Sequence, residues 1–422
     1  MEARYDVVIY GATGVTGGKI FETLISCGKF DNYSIAIAGR SEKKLEEVLE
    51  KLEKSTGTSL KTRIGLLVCD STNEESMGKM ARRAKLIVNA VGPFRLHGEA
   101  VVKAAVENGA NQIDVAGEPE WIERMEAKYG QMAKNNNVYI VSACGWDSIP
   151  ADFGVKLLKR YFDGHLQRID AFLQLHFGPS GYSFSATSLQ ALLLGFNGAP
   201  DLGSLRHSIM PKKIDHLLAP NKKRHFLWKI EEKGSEGWAM PFLGADKSIV
   251  TRSQYFDYVM NNVKPVRFTP FTRFESRWNA LLLAALMGLL KTFSKYGTMQ
   301  RFIMRYPELC SGKLFSKSGP SEEQMKEATF TYQFYGYGYG RGDPRDREPK
   351  KKLLVTCTGP DVGYIATSGC VLSSVLVFLK EKEKLPKSGG VYTTAYAFEN
   401  TRLIDFLLDF GIKFDIEMPS KL

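Results

Sequence analysis

A chain of 422 residues, 44% hydrophobic and 24% charged, is long enough for two domains or one elaborated domain, and its composition excludes extensive disorder. Its formal charge of +11 admits nucleic acid, an anionic membrane surface or an anionic ligand as partner. The Lys and Arg residues are dispersed and carry no zinc-finger, helix-turn-helix or RNP-type signature, which argues against nucleic acid.

The first strand is expected at Asp6–Tyr10, so close to the amino end that no cleaved signal peptide fits before it. Further strands are predicted at Tyr33–Ala38, Thr62–Cys69, Leu86–Ala90, Gln112–Val115 and Val138–Ser142. Helical spacing falls between them, at Gly18–Cys27, Glu42–Glu53, Glu74–Arg83, Glu99–Asn108 and Glu118–Lys134. This alternation predicts a doubly wound parallel sheet over residues 1–150. Beyond Pro150 the spacing predicts a helix over Asp152–Tyr161, a strand over Arg168–Phe177 and a helix over Thr187–Leu194. Residues 200–275 show weak periodicity and are expected to be long loops with a few strands. Glu327–Tyr339 and Lys351–Thr358 pattern as a strand pair, joined through the mixed-charge turn Arg341–Lys352. Tyr364–Leu379 combines strand-like and helical features, and 392–412 forms a last helical segment stopped by Gly411. The expected fold class is α/β: a Rossmann domain, then an α+β mixed-sheet domain over 151–388, then a segment at 389–422 packing on the first domain. Six cysteines, none in a Cys-x-x-Cys pair, signal neither zinc nor a disulfide framework, and buried reduced thiols are expected.

The first strand runs into Gly11-Ala12-Thr13-Gly14-Val15-Thr16-Gly17, a Gly-x-x-Gly-x-x-Gly variant of the Rossmann loop. Gly11 permits the tight turn, Gly14 lets the backbone approach a diphosphate, and Gly17 lets helix and strand pack closely. The helix N-terminus that follows suits the diphosphate of a dinucleotide. About twenty residues after such a loop, NAD-binding domains place an acidic residue for the ribose hydroxyls. Here the chain reads Arg40-Ser41-Glu42-Lys43-Lys44. Arg40, Ser41 and Lys44 suit the 2′-phosphate of NADP(H), with NAD(H) the lesser alternative and solvated helix-start residues the structural one. Asp70 and Ser71 close the third strand near the adenine. Ala90, Val91, Gly92 and Pro93 close the fourth, where small residues leave room for ribose and nicotinamide.

Read in order, the glycine loop, Asn89–Phe94, Asp114-Val-Ala-Gly-Glu118, Cys144-Gly-Trp-Asp-Ser-Ile-Pro-Ala-Asp152 and Gly389-Gly390-Val391-Tyr392-Thr393-Thr394-Ala395 resemble the animal saccharopine dehydrogenase-like oxidoreductases. The resemblance covers nearly the whole chain. It implies a Rossmann domain, a second mixed-sheet domain and a C-terminal helix returning to the first. The family is also similar to bacterial trans-acting enoyl reductases of glycolipid synthesis, and its animal members are associated with lipid droplets and membranes.

For a carbonyl or imine substrate, hydride transfer needs a proton donor besides orientation. No tyrosine has a lysine four residues later, so the Tyr-x-x-x-Lys pair of short-chain reductases is absent. Asp147, Ser148 and Asp114 are the catalytic candidates, with Glu118 and Asp152 also at the sheet's carboxyl edge. Asp147 or Asp152 capping the helix that starts near Ala151 is the structural alternative. His97 could face substrate or be a loop residue. No histidine grouping suggests a metal.

The most apolar run, Trp278–Leu290, is too short to span a bilayer as a helix. Flanked by Arg273, Arg277, Lys291, Lys295, Arg301 and Arg305, segment 278–293 suits a helix lying in a membrane or droplet interface; a core or dimer-interface helix is the alternative. These features lead to an NADP(H)-dependent oxidoreductase acting on a lipophilic substrate, a lipid or glycolipid precursor, at the cytoplasmic face of a droplet or membrane. A homodimer is among the expected partners. The competing reading is a non-catalytic lipid-droplet protein that keeps the nucleotide fold as a structural or sensing module.

Overall fold

A computed structural model describes residues 3–197, 202–214, 224–344 and 348–417. The chain opens with strand β1 (Tyr5–Tyr10), then α1 (Val15–Ser26), β2 (Ile35–Gly39), α2 (Glu42–Thr56), β3 (Ile64–Val68), α3 (Glu74–Arg82), β4 (Ala84–Asn89), α4 (Phe94–Asn108), β5 (Asn111–Asp114), α5 (Pro119–Asn135), β6 (Tyr139–Val141) and α6 (Ile149–Tyr161). The inner strands are short and buried on both faces, as a parallel sheet requires, while the edge strand β3 is only partly covered. Helix caps come where the sequence supplies them: Ser41 accepts from Lys44 N at α2, Asn73 from Ser76 N at α3.

The second part runs through β7 (His165–His176), β8 (Phe184–Ser185), α7 (Ala186–Phe196), α8 (Leu202–Ile209), β9 (Trp228–Ile230), β10 (Gly237–Pro241), α9 (Asp246–Asn261), β11 (Arg267–Phe274), α10 (Arg277–Phe293), α11 (Gly297–Arg305), α12 (Pro307–Cys310), β12 (Phe315–Ser316), α13 (Glu322–Glu327), β13 (Thr329–Tyr339) and β14 (Lys351–Pro360). It continues with α14 (Ile365–Lys380), β15 (Gly390–Tyr392), α15 (Thr394–Ala397), α16 (Leu403–Leu408) and β16 (Lys413–Glu417).

Two seven-stranded sheets result. The first is parallel throughout, in the order β15-β6-β5-β4-β1-β2-β3. The strand order reverses between β1 and β4, and ligands of such sheets bind at that switch point, beyond the carboxyl ends. The second sheet is mixed, in the order β16-β14-β13-β7-β11-β10-β9, with β7 and β11 its parallel pair. One hydrophobic core reaches from Val7, Ile9 and Ile37 of the first sheet to Phe330, Phe334 and Val355 of the second. Helices α6 and α9 lie on the second sheet; Gly154 lets α6 approach β13, since a Cβ there would stand 2.7 Å from the Phe334 ring.

Several expectations are corrected. The loop-rich stretch 200–275 contains the sixteen-residue helix α9; its buried face includes Asp246, Arg252, Ser253, Gln254 and Asp257, so no apolar period marks it. Residues 365–380 form one helix, buried continuously from Ala366 to Phe378, and a helix apolar all round has no amphipathic signature. It packs against α1 and the first sheet. The C-terminal segment is not one helix but a strand, two short helices and a further strand. Strand β15 adds a seventh strand to the first sheet, paired with β6. Residues 345–347 of the mixed-charge turn lie outside the described residues, and the rest of that turn is largely exposed. All six cysteines are free; four are buried, while Cys27 and Cys310 are half-buried.

The junction of the two parts is tied by Asp152, 2% exposed. Its Oδ2 accepts from Ser253 Oγ on α9 at 2.7 Å, from Thr394 Oγ1 at 2.9 Å and from Ala395 N at 2.7 Å. Asp152→Ala leaves the buried Thr394 hydroxyl and Ala395 N–H unpaired, while Ser253 Oγ keeps Thr393 Oγ1 as acceptor at 2.7 Å. It should cost about 2 kcal/mol or more, measurable as a lowered urea midpoint. A midpoint equal to that of the unmodified protein would contradict this role.

Candidate functional site

The carboxyl edge of the first sheet forms a groove from the residues that leave each strand. At β1, Gly11 adopts φ +94°, and a Cβ on Gly17 would lie 2.2 Å from the Gly11 carbonyl oxygen. Only glycine allows the first turn of α1 to sit on the turn before it. Gly14 is the N-cap of α1 and supplies no side-chain acceptor, whereas the starts of α2, α3, α7, α10 and α13 each have one. Thr13, Gly14 and Val15 are exposed. This N-terminus therefore offers its orphan amides outward, a fit for a diphosphate.

Arg40 is exposed just past β2, at the start of α2. Ser41 uses its oxygen as the cap of α2, which leaves its hydroxyl hydrogen available; Lys44 is exposed on the first turn. Asp70 accepts from Thr72 N and Thr72 Oγ1, both at 2.9 Å. Those bonds, with Arg40 and His97 nearby, hold its carboxyl below the usual value. Ser71 meets His97 Nδ1 at 3.3 Å, so His97 joins the ends of β3 and β4 rather than standing free. Ala90, Val91 and Gly92 are half-buried and Pro93 is buried; a Cβ on Gly11 would stand 2.7 Å from Val91 Cγ2, which places the β4 loop against the glycine turn.

The candidate carboxylates separate by their partners. Asp114 is 0% exposed and accepts four bonds, from Ala116 N, Ala143 N, Ser142 Oγ and Gln112 Nε2. Burial pushes it up to about 6 against those donors. Its position joins the loops after β5 and β6. Glu118 caps α4, accepting from Phe94 N at 2.8 Å and Arg95 N at 3.2 Å. Ser148 is buried and donates to the Asp147 carbonyl at 2.5 Å. Neither Asp147 nor Asp152 is the N-cap of α6, which is Ser148 without a side-chain bond; Asp152 instead serves Thr394 and Ala395 at α15. Asp147 differs from all of these. It is half-buried at the groove, receives the Ala245 N–H, and is pushed up to about 7 by burial.

Two residues of this neighbourhood escape a sequence reading. Asp246 opens α9 and accepts from Tyr332 Oη at 2.7 Å. Tyr332 alternates with Phe330 and Phe334 on β13 and reads as ordinary core; nothing around Asp246 marks it. Among the described residues no group of His, Cys, Asp and Glu is arranged to hold a metal.

The apolar run is helix α10, which buries only Ala280 and Leu290. Trp278 is 77% exposed, Leu282 73% and Leu289 55%. Leu290 packs with Leu189, Leu193, Ile303 and Phe315 beneath it. The exposed face continues over α11 and α12 through Met299, Phe302, Tyr306 and Leu309. Between Glu275 and Glu308 there is no acidic residue, while Arg277, Lys291, Lys295, Arg301 and Arg305 supply five cations. No described helix is long and apolar enough to cross a membrane.

Residues 7–141 match the family model of the saccharopine dehydrogenase NADP-binding domain, so the groove is that of a nicotinamide dinucleotide-binding domain. The whole chain is 50% identical to the lipid droplet localized protein of Caenorhabditis elegans, over the full length of both. It is 34% identical to the human saccharopine dehydrogenase-like oxidoreductase, across 99% of this chain and 98% of that one. A part covering 37% of this chain is 34% identical to a putative trans-acting enoyl reductase of Mycobacterium tuberculosis, of which it covers 35%. Among solved structures, apo saccharopine dehydrogenase (L-Glu forming) of Saccharomyces cerevisiae shares the fold, with a TM-score of 0.55 and 14% identity across 98% of this chain and 100% of that one. By full-length identity to the human protein and its mammalian counterparts, the chain belongs to the saccharopine dehydrogenase-like oxidoreductase family.

Proposed function

We propose that this protein is an NADP(H)-dependent oxidoreductase that reduces or oxidises a lipophilic compound, a lipid or glycolipid precursor, at a lipid-droplet or membrane surface. The observation that carries this reading is that the chain which forms the dinucleotide groove also exposes the apolar face of α10–α12, acid-free between Glu275 and Glu308. Helix α7 links the two: Thr187, in its first turn, lies 3.5 Å from where a Cβ on Gly92 would stand, and its far end accepts Arg95 Nη1 at Leu194 O, 2.9 Å. Its Leu189 and Leu193 support α10 and α11.

In this reading the first turn of α1 holds the diphosphate, while Ala90–Pro93 wall the ribose and nicotinamide. Arg40, with Lys44 and the Ser41 hydroxyl, grips the 2′-phosphate; a guanidinium fork matches phosphate geometry where a carboxylate would repel it. NADP(H), when bound, donates or accepts the hydride. Asp147 exchanges the proton that a carbonyl or imine takes up or gives back, and its perturbed carboxyl at the groove suits that task. The α10–α12 face places apolar and aromatic side chains among the lipid chains and its cations on phosphates, in agreement with the name of the worm relative.

Three measurements test this. Purified protein should bind NADPH more tightly than NADH, and Arg40→Ala should weaken NADPH about tenfold or more with NADH little changed; equal affinities would remove the case for the phosphorylated cofactor. The triple variant Trp278→Glu, Leu282→Glu, Leu289→Glu should lose co-flotation with anionic vesicles and droplets while keeping NADPH binding. Undiminished flotation would move the lipid contact elsewhere. A lipid extract incubated with protein and NADPH should oxidise the cofactor, and Asp147→Asn should abolish this with binding retained. Cofactor binding without turnover on any extract would favour the structural or sensing role.

A further inference from the structure

The assignment of a proton-exchanging role to Asp147 leaves its unusual surroundings to be explained. Its carboxylate is wedged between two glycines: a Cβ on Gly117 would stand 2.7 Å from Oδ2, and one on Gly244 would stand 2.6 Å from Oδ1. No side chain could be added on either flank without displacing it. Beyond Gly244 come Ala245, whose N–H points to Asp147, and Asp246, 2% exposed. Asp246 Oδ2 accepts from Tyr332 Oη, but its Oδ1 is buried with no partner.

The titratable groups that face these two carboxyls come from three further elements: Asp152 on α6, Tyr332 on β13, and Cys357 on β14, which acts on Tyr332. Asp152 is saturated by its own donors. Lys156 on α6 acts on Asp152 and is itself paired with Asp257 and Glu399. Among the described residues no lysine or arginine forms an ion pair with Asp147 or Asp246. Two neighbouring carboxyls without a cation, one buried and one half-buried, resist ionising together. An orphan buried oxygen is costly on a carboxylate, and far less so when it carries a proton that a neighbouring carboxylate can accept.

We propose that Asp147 and Asp246 form a carboxyl pair holding one proton at neutral pH, with Asp246 the member that keeps it. Tyr332 fixes Asp246 in place, so that Asp147 alone exchanges protons with the bound compound. This deepens, and rests on, the reading of Asp147 as the proton-exchanging group; Asp246 and Tyr332 are positioning residues. In the reducing direction Asp147 first takes a proton from solvent, so that the pair briefly holds two. Its O–H bond then breaks and the proton goes to the oxygen or nitrogen of the carbonyl or imine whose carbon accepts hydride from the reduced nicotinamide. The carboxylate left behind accepts a hydrogen bond from the Asp246 O–H, and solvent at its half-open side returns the proton. Burial drives both groups upward, and the Asp147 charge then raises Asp246 further.

Infrared difference titration of the full-length protein reads protonated carboxyls without any substrate. In the unmodified protein one carboxylic acid band should titrate near 7 and vanish in Asp147→Asn. A second should persist after the first has titrated, because burial and the Asp147 charge raise Asp246 well above the usual carboxyl range, and should vanish in Asp246→Asn. In Asp147→Asn the Asp246 band should titrate lower by about one pH unit or more, because the neighbouring charge is gone. In Tyr332→Phe it should titrate higher, because the phenol favours the ionised form. Stability supplies a second readout. A carboxyl raised in the folded state favours folding below about pH 4, and that contribution declines as pH rises through its folded value. The thermal midpoint of Asp147→Asn relative to the unmodified protein should therefore climb between about pH 4 and about pH 7 and level off above. An Asp246 already ionised at pH 7, or one that titrates at the same pH with and without the Asp147 carboxyl, overturns the pair. None of these readouts needs turnover, so a failed pair is distinguishable from a failed oxidoreductase reading, which the lipid-extract assay decides.

Discussion

The structure depends on one buried carboxylate at the meeting of its two sheets. Asp152 sits in the first turn of α6, where the chain leaves the parallel sheet, and it binds α9 and the start of α15 through Ser253, Thr394 and Ala395. A carboxylate taken out of water must find donors, and here they come from segments about 100 and 240 residues further along the chain. Strand β15 ends two residues before Thr394 and can therefore lie beside β6. Asp147, five residues before Asp152, is carried to the same junction. It meets Gly117 from the first sheet and Gly244 from the second part.

Carboxylates along this edge divide by how many donors they meet. Asp114, Glu118 and Asp152 are each surrounded by N–H and O–H groups that satisfy a charge and leave nothing to offer a ligand. They hold loops and helix starts in place. Asp147 and Asp246 have fewer donors than a buried carboxylate needs, and proton chemistry falls to such groups because their ionised forms are not stabilised in advance. The glycine turn shows the same economy in reverse: α1 begins with donors and no acceptor, so an anion completes it.

Helices α10–α12 show what surface composition means in three dimensions. Solvent-exposed tryptophan and leucine side chains at this density are unfavourable in water, and contiguous apolar patches mark contact surfaces. The cations distributed along them, with no acid between Glu275 and Glu308, suit a surface bearing phosphates. Helix α7 runs from the β4 loop to the underside of this face, so that one helix touches both the groove and the apolar face.

Much of the first domain was legible from the chain itself. Buried strands alternating with capped helices, and glycines at 11, 14 and 17, are local patterns, and local sterics enforce them wherever the chain goes. The nucleotide groove follows from that same stretch. Helices α9 and α14 were not legible, for opposite reasons: one buries polar groups that read as surface, the other is apolar on every side and shows no period. In α10, Leu282 and Leu290 are equivalent as residues, yet one faces solvent and the other faces Leu193 and Ile303. Only packing separates them. The bond from Tyr332 to Asp246, and the influence of the Asp147 charge on Asp246, are likewise tertiary. Roughly 100 residues separate Asp147 from Asp246, and about 85 more lead to Tyr332. Sequence determines which groups can hold a proton or a phosphate; the fold decides which of them are left without partners.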